Sequence, residues 1–327
     1  MMNKATLLAT LLLISLLSIV VVAQESSKGE WMCRYENDKF WLALKTESAR
    51  DNSMFSWSFN LQLDKSIKGL ALPPAGAAAT PVHFELARDA GTIVFDGMMS
   101  NGNGIGEYRF TANPDYISAM KSMGYDNLLP EQLLRLAVRD VNRGYVKEMK
   151  TAGFDTPTIE QIIRLRNHNV TTGFIAEMKA LGLSGLSVEE TVRLSNHEIN
   201  AAFIQEMKNA GYDGLSAEQL VRLRNHEIDG TFIKSFSDAG YKSLSVEQLI
   251  RMRNRSVTPA FVRDLKSVGY DNVPAETLIR LRSRDVTAGF IKQLSDSGYK
   301  DLSADDLIYI RDHGVEAYTR RHSRRAQ

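Results

Sequence analysis

Apolar residues between positions 113 and 318 recur with a period of 29 residues. Each period opens with an aromatic residue and has a glycine eight residues later. Within a period the apolar positions form two short runs with the three- and four-residue spacing of one helix face. Seven periods without insertion or deletion predict a stack of two-helix repeats. The aromatic residues are Tyr116, Tyr145, Phe174, Phe203, Phe232, Phe261 and Phe290, and the glycines are Gly124, Gly153, Gly182, Gly211, Gly240, Gly269 and Gly298.

Polar residues at fixed places in each period predict where its helices begin and end. In the fifth period Asp229 suits the N-cap of the first helix, and Gly240 suits the left-handed residue that ends it. The second helix opens with a capping box over Ser245–Gln248, and Asn254 is predicted to be its left-handed end. Helices of about 8 to 10 residues are too short to be stable alone, so neighbouring repeats must stack.

The region before the repeats alternates apolar and polar residues with period two, as in Phe55, Trp57 and Phe59. This pattern predicts a small antiparallel β domain of about five or six strands. Glycines at 102–106 resemble a phosphate-binding loop, but a strand rather than a helix follows them, which favours a hairpin. The three tryptophans, Trp31, Trp41 and Trp57, are predicted to pack in the core rather than to line a sugar or peptide site.

These patterns predict an α+β protein that is mainly α-helical. A small antiparallel β domain over residues 24–112 precedes an α-solenoid of seven helical-hairpin repeats over residues 113–318. A basic tail over residues 319–327 is expected to be solvated.

The N-terminal residues predict export. An apolar run follows Lys4, and small residues at Val21 and Ala23 suit a cleavage site before Gln24, so residues 1–23 are predicted to be a signal peptide. The localisation expected is periplasmic or extracellular. The alternative is an uncleaved segment that anchors the protein in the membrane.

Composition narrows the class of protein further. The chain has 327 residues, 43% of them hydrophobic, and a formal net charge of +1, which is typical of a folded protein. The small net charge gives no general reason to expect nucleic acid or an anionic membrane as partner. Cys33 is the only cysteine, so no intramolecular disulfide can form, and a half-buried strand residue is favoured over a functional thiol.

Two sets of arginines repeat along the second helices. The first set follows a glutamate by four residues, which predicts intrahelical ion pairs with little net field: Glu131–Arg135, Glu160–Arg164, Glu189–Arg193, Glu218–Arg222, Glu247–Arg251 and Glu276–Arg280. The second set, called here the arginine row, lies toward the apolar side in the last helical turn. These side chains are expected either to bond terminal carbonyls or to line a groove for partner carboxylates. The candidate partner-binding residues are Arg166, Arg224, Arg253, Arg282 and Arg311.

Repeated histidines and methionines favour structural roles. His168, His197 and His226 lie one repeat apart, too far to share a zinc ion with bonds of ~2.0–2.1 Å, and are expected at helix ends. Met120, Met149, Met178 and Met207 lie on the apolar stripe of the first helices and are expected in the core.

The segment Tyr241–Asn254 resembles tandem repeats of uncharacterised secreted bacterial proteins. It is also similar to repeats that follow the peptidase part of some antibiotic-sensing, metallopeptidase-like membrane proteins. The segment Gly91–Pro114 is similar to the β domain of the secreted group. The resemblance implies the architecture and export. It implies no activity, since the chain lacks the His-Glu-x-x-His zinc motif.

Three functions follow as hypotheses. The favoured one is an exported non-enzymatic binding or scaffold protein that recognises a protein or peptide with its repeat surface, without a catalytic residue, cofactor or metal. The alternative is an enzyme or ligand-binding protein with its site in the β domain or at its junction with the first repeat, where Asp38, Glu85, Asp89 and Asp96 supply carboxylates. The third is nucleic-acid binding along the arginines, against which export and the glutamates weigh.

Overall fold

A computed structural model describes residues 26–37, 39–47, 54–61, 67–74, 76–154 and 156–323. The predicted signal peptide and Asp38 lie outside these residues. The chain divides into two compact units, one ending at Asn167 and one beginning at His168.

The first unit contains one antiparallel sheet with strand order β3-β2-β1-β7-β6-β5-β4. It confirms the predicted β domain, with seven strands rather than five or six because a two-residue strand, β4, pairs with β5. The strands are β1 (Ser26–Glu36), β2 (Lys39–Glu47), β3 (Met54–Leu61), β4 (Ile67–Lys68), β5 (Thr80–Arg88), β6 (Gly91–Ser100) and β7 (Asn103–Ala112).

The sheet curls until its inner face packs against itself. Phe40 on β2 and Phe84 on β5 are four strands apart in the sheet order, a distance of roughly 19 Å in a flat sheet. Their ring centroids are nevertheless 6.0 Å apart, and the ring of Trp31 lies 5.3 Å from that of Phe84. All three side chains are fully buried, so the alternating apolar positions form a core without a second sheet.

A two-residue turn joins β6 to β7. Asn101 and Gly102 both have positive φ angles, 47° and 76°, as a primed hairpin turn requires. A strand follows the glycines, which confirms the hairpin and excludes a phosphate loop at this position.

Four helices follow the sheet among the described residues of the first unit: α1 (Pro114–Ser122), α2 (Pro130–Val138), α3 (Arg143–Thr151) and α4 (Ile159–Asn167). Helix α2 packs against β1, β6 and β7. Its buried residues include Leu133, Leu134 and Leu136. The first repeat therefore shares a core with the β domain.

The second unit is wholly helical over its described residues. Its helices are α5 (Thr172–Ala180), α6 (Val188–Asn196), α7 (Ala201–Asn209), α8 (Ala217–Asn225), α9 (Gly230–Asp238), α10 (Val246–Asn254), α11 (Pro259–Ser267), α12 (Ala275–Ser283), α13 (Ala288–Asp296), α14 (Ala304–His313) and α15 (Val315–Ser323). A continuous apolar core runs from Met178 to Ile310. The prediction of two short helices per repeat is thus confirmed, and the molecule is an α+β protein with mainly helical repeats.

Both predicted helix-start signals are present. The side chain of Asp229 accepts a hydrogen bond from the Phe232 N–H, and Ser245 and Gln248 form the reciprocal bonds of the capping box. Gly240, with φ 99°, ends the first helix of its repeat as predicted.

The second helix ends at Asn254 as predicted, but Asn254 is not the left-handed residue. That residue is Ser256, with φ 51°, two positions later. The same position in repeats one to four and six is Asp140, Asn169, Glu198, Glu227 and Asp285. The later reversal lets the Val257 N–H bond the Met252 carbonyl, and the Val257 side chain is buried.

The predicted tail is partly helical. Residues 319–323 lie in α15, which contacts α14. Arg321 lies over the Tyr309 ring, with 4.6 Å between the guanidinium carbon and the ring centroid. Aromatic contacts thus hold residues that charge alone predicts to be solvated.

Candidate functional site

In the five repeats that carry it, the arginine row joins the two helices of the repeat. Each guanidinium lies over the aromatic ring that opens its own repeat, with distances between 5.0 and 5.4 Å from the guanidinium carbon to the ring centroid. This geometry permits a cation–π interaction. The arginine and the ring meet because the last turn of the second helix lies against the first turn of the first helix in the same repeat. The pairs are Arg166–Tyr145, Arg224–Phe203, Arg253–Phe232, Arg282–Phe261 and Arg311–Phe290.

The same arginines reach back to the preceding repeat. Arg253 Nη2 lies 2.7 Å from Glu227 Oε2, and Arg311 Nη2 lies 2.7 Å from Asp285 Oδ2. Arg282 Nε donates instead to the Ser256 carbonyl, at 3.1 Å. The weaker members of the row are Arg166 with Asp140 (3.2 Å) and Arg224 with Glu198 (4.0 Å). These acceptors belong to the left-handed residues that end the preceding second helices, and Arg166 Nε donates in addition to the Arg139 carbonyl, at 3.3 Å.

The arginine row therefore has an internal partner at every member. Carbonyl bonding was one expectation for it, but the carbonyl belongs to the neighbouring repeat rather than to the arginine's own helix. Recognition of partner carboxylates by this row stays a prediction.

Four arginines of the glutamate–arginine set form ion pairs with the next repeat. Arg222 Nη2 lies 2.5 Å from Glu247 Oε2, and Arg251 Nη1 lies 2.6 Å from Glu276 Oε2. The prediction of ion pairs within one helix is wrong for these two arginines. Stacking places each arginine closer to the glutamate in the first turn of the second helix of the next repeat than to the glutamate in its own helix. Two further arginines pair with a carboxylate of the next repeat, in Arg135–Glu160 and Arg280–Asp305.

The repeated histidines lie at helix ends, as predicted for His197 and His226, which are the C-cap residues of α6 and α8. Over the described residues, no group of three or more histidine, cysteine, aspartate or glutamate side chains is placed to hold a metal ion. Met120, Met149, Met178 and Met207 are fully buried, which confirms their core role.

A groove lies on the second helices of repeats five to seven, across α10, α12 and α14. It has a volume of about 440 Å³. We call it the arginine groove because four arginines line it, together with two isoleucines, an asparagine and a serine: Arg251, Arg255, Arg280, Arg284, Ile279, Ile308, Asn254 and Ser283.

A smaller groove occupies the equivalent place in the first unit, between α2 and α4. Arg135, Arg139 and Ile163 line a volume of about 60 Å³ there. Burial and, second, the positive charge of Arg135 lower the pKa of Arg139. The sequence shows these arginines as separate columns, each with one member per repeat, and does not show that two columns converge in one groove. The signal available was the column Arg139, His168, His197, His226, Arg255, Arg284 and His313, which is cationic or ionisable in every repeat.

The tryptophans do not form one site. Trp31 is 1% exposed in the sheet core, as predicted, whereas Trp41 is 40% exposed on the opposite face, contrary to the prediction. The strand register places them on opposite faces because Trp41 pairs with Arg34 and Trp31 with Leu44. The side chain of Trp57 lies outside the described residues.

The carboxylates of the β domain engage different partners. Asp89 binds Arg143 at 2.7 Å, at the junction with the first repeats. Asp96 accepts from His83 Nδ1 at 2.7 Å and lies 3.3 Å from Arg109 Nη2; the hydrogen bond from His83 is the main cause that lowers the pKa of Asp96. These two carboxylates thus serve separate ion pairs on the surface of the first unit.

The outer face of the sheet carries an exposed apolar row. Ile105 on β7 lies opposite Met98 on β6 and Met32 on β1. These side chains are 64%, 41% and 51% exposed, respectively. The alternation of the strands puts them in solvent because the inner face is occupied by the core.

Comparison with known proteins leaves the family open. The chain matches no protein-family model, and no match is found among curated proteins or solved structures. Within the described residues, no helix is long and apolar enough to cross a membrane.

Proposed function

We propose that this protein is an exported, non-enzymatic binding protein whose helical repeats recognise a protein or peptide through their second helices. One observation carries the proposal. A column of arginine and histidine side chains runs along these helices in every repeat, and grooves form where neighbouring repeats meet. Recurrent, solvent-accessible positions on stacked helices are the surface with which repeat proteins commonly bind partners.

The arginine row and the ion pairs between repeats fix the positions of the second helices that form this surface. They hold consecutive second helices in register, as Arg253 does with Glu227 and Arg222 with Glu247. A partner would therefore meet side chains that are already positioned, which reduces the entropy cost of binding.

Site-specific photo-crosslinking in the full chain, in its native compartment, tests the proposal. A crosslinking amino acid at Asn225, exposed at the end of α8, is expected to yield a discrete crosslinked species. The matched control is Ala202, exposed on α7, the first helix of the same repeat. Equal crosslinking from both positions, or none from either, would contradict recognition through the second helices.

A further inference from the structure

We infer that the arginine groove binds an acidic peptide segment in which carboxylate side chains flank an aliphatic one. This inference rests on the proposed function and names the chemistry of the partner at one place on the repeat surface.

The positive charge of the groove exceeds what its own carboxylates neutralise. Three of the four arginines have partners: Arg251 with Glu276, Arg280 with Asp305, and Arg284 with Asp312 at 3.1 Å. Among the described residues Arg255 has no ion pair, and its side chain is exposed. One uncompensated guanidinium therefore lines the groove beside three others whose remaining N–H donors can bind a further acceptor.

Helix stability accounts for only part of this arrangement. Arg255 follows the last turn of α10, where a cation favours the helix dipole. Histidine occupies that position in repeats two to four, so helix capping does not require arginine. Arginine alone is permanently charged and presents a planar pair of donors that matches a carboxylate.

The rest of the lining fits a peptide. Ile279 and Ile308 supply an apolar floor, and Asn254 and Ser283 supply donors and acceptors suited to backbone amides. A nucleic acid gains affinity by neutralising several phosphates with free cations. Glu276, Asp305 and Asp312 already neutralise three of the four arginines, which favours a ligand with one or two carboxylates.

Selection from a random dodecapeptide library on the immobilised full chain tests the inference. Enriched peptides are expected to pair acidic residues with an aliphatic residue. The strongest peptide, made synthetically, is expected to lose about tenfold in affinity to Arg255→Ala, the loss of one charged hydrogen bond, and to lose binding when glutamine replaces its acidic residues.

Arg263→Ala is the matched control, because Arg263 is exposed on α11, outside the groove, and its substitution removes the same charge. Its affinity is expected to equal that of the unaltered chain, and circular dichroism checks that both variants are folded. Enrichment of peptides without acidic residues, or equal binding by Arg255→Ala, would overturn the inference. Binding of an oligouridylate with no enriched acidic peptide would also overturn it and support nucleic-acid binding. Crosslinking from Asn225 that persists in any of these cases would leave the proposed function intact.

Discussion

Single side chains in this protein do two tasks at once, and the arginine row is the clearest case. Arg253 lies over Phe232 in its own repeat and binds Glu227 of the preceding one. Glu227 has a left-handed backbone, with φ 52°, which costs free energy in a residue with a Cβ and which glycine adopts more easily. The repeat therefore keeps a charged residue where helix termination alone favours glycine.

Removing this arginine is expected to destabilise the second unit. Arg253→Ala loses a cation–π contact and an ion pair at a partly exposed site, together about 1–2 kcal/mol in the free energy of unfolding. Urea unfolding followed by circular dichroism measures it. Arg263→Ala, with the same charge change on an exposed surface, is expected to stay within about 0.5 kcal/mol. Equal stability of both variants would show that the row contributes nothing to folding.

Burial is expected to make the thiol of Cys33 unreactive in the folded protein. Its side chain is 5% exposed, and burial raises the pKa of the thiol to about 12 against the opposing hydrogen bond with Gly104. A thiol-specific chromogenic reagent at about pH 8 is expected to leave the native protein unlabelled and to label one thiol per chain in denaturant. Rapid labelling of the native chain would contradict the buried position.

At the scale of the element, helix ends determine the geometry of each repeat. The first helices end at glycines that are all left-handed, whereas the second helices of repeats one to six end at charged or polar residues in the same conformation, and that of repeat seven ends at Gly314. In both cases the apolar residue after the left-handed one bonds back into the helix, as Tyr241 does to Phe236 and Val257 to Met252. Because both helices of a repeat end at a left-handed residue, they stay short, and the apolar face of each helix packs against the neighbouring helix.

Two glycines predict opposite effects of one substitution. Gly240→Ala places a Cβ at φ 99° with no atom within 4 Å, so strain alone is expected to cost about 1–2 kcal/mol. Gly289→Ala lies inside α13 with an ordinary contact to Thr287 and is expected to stabilise the protein by about 0.5–1 kcal/mol. Thermal unfolding of both variants measures the difference. The same direction of change in both would refute this reading of the helix ends.

A ladder of tyrosines joins successive repeats and predicts weakness at high pH. The Tyr241 hydroxyl donates to the Val273 carbonyl at 2.6 Å, and burial raises its pKa. Burial likewise raises the pKa of Tyr212 and Tyr270, whose hydroxyls make the same bond to the next repeat. The unfolded chain therefore ionises first, so the stability from these bonds is full below the ordinary tyrosine pKa of 10.0 and is lost as the pH rises above it.

The tyrosine prediction is checked by urea unfolding at several alkaline pH values. Tyr241→Phe is expected to cost about 0.5–1.5 kcal/mol at neutral pH, the worth of one hydrogen bond, and to flatten the decline above pH 10. An unchanged pH dependence in this variant would exclude the ladder as its cause.

At the scale of the molecule, the β domain and the first repeats form one folding unit. Helix α2 packs on three strands, and Arg143 at the start of α3 binds Asp89 between β5 and β6. The division into compact units accordingly falls after Asn167 rather than at the end of the sheet. The sheet thus shares a core with the first repeats, within one compact unit.

Deleting the sheet tests this dependence. A chain of residues 113–327 is expected to lose helical signal from its first repeats and to bind a hydrophobic fluorescent dye, because Leu133, Leu134 and Leu136 of α2 lose cover. A chain of residues 26–327, which keeps the sheet, serves as the control. Full helicity per residue without dye binding in the shorter chain would contradict the shared core.

The sequence by itself determined the elements, because their signals are local. Periodicity, N-caps and glycines predict the two-helix repeat, and alternation with a glycine turn predicts the β hairpins. The capping box at Ser245–Gln248 and the left-handed Gly240 are confirmed for that reason.

Only the tertiary structure decided which side chains meet, because those distances depend on stacking. Arg251 finds Glu276 of the next repeat instead of Glu247 in its own helix, and Arg253 finds Glu227 of the preceding one. The same stacking brings Arg255 and Arg284 into one groove, and the curl of the sheet brings Phe40 onto Phe84. Sequence spacing measures separation along a helix, whereas these contacts are set by separation between helices.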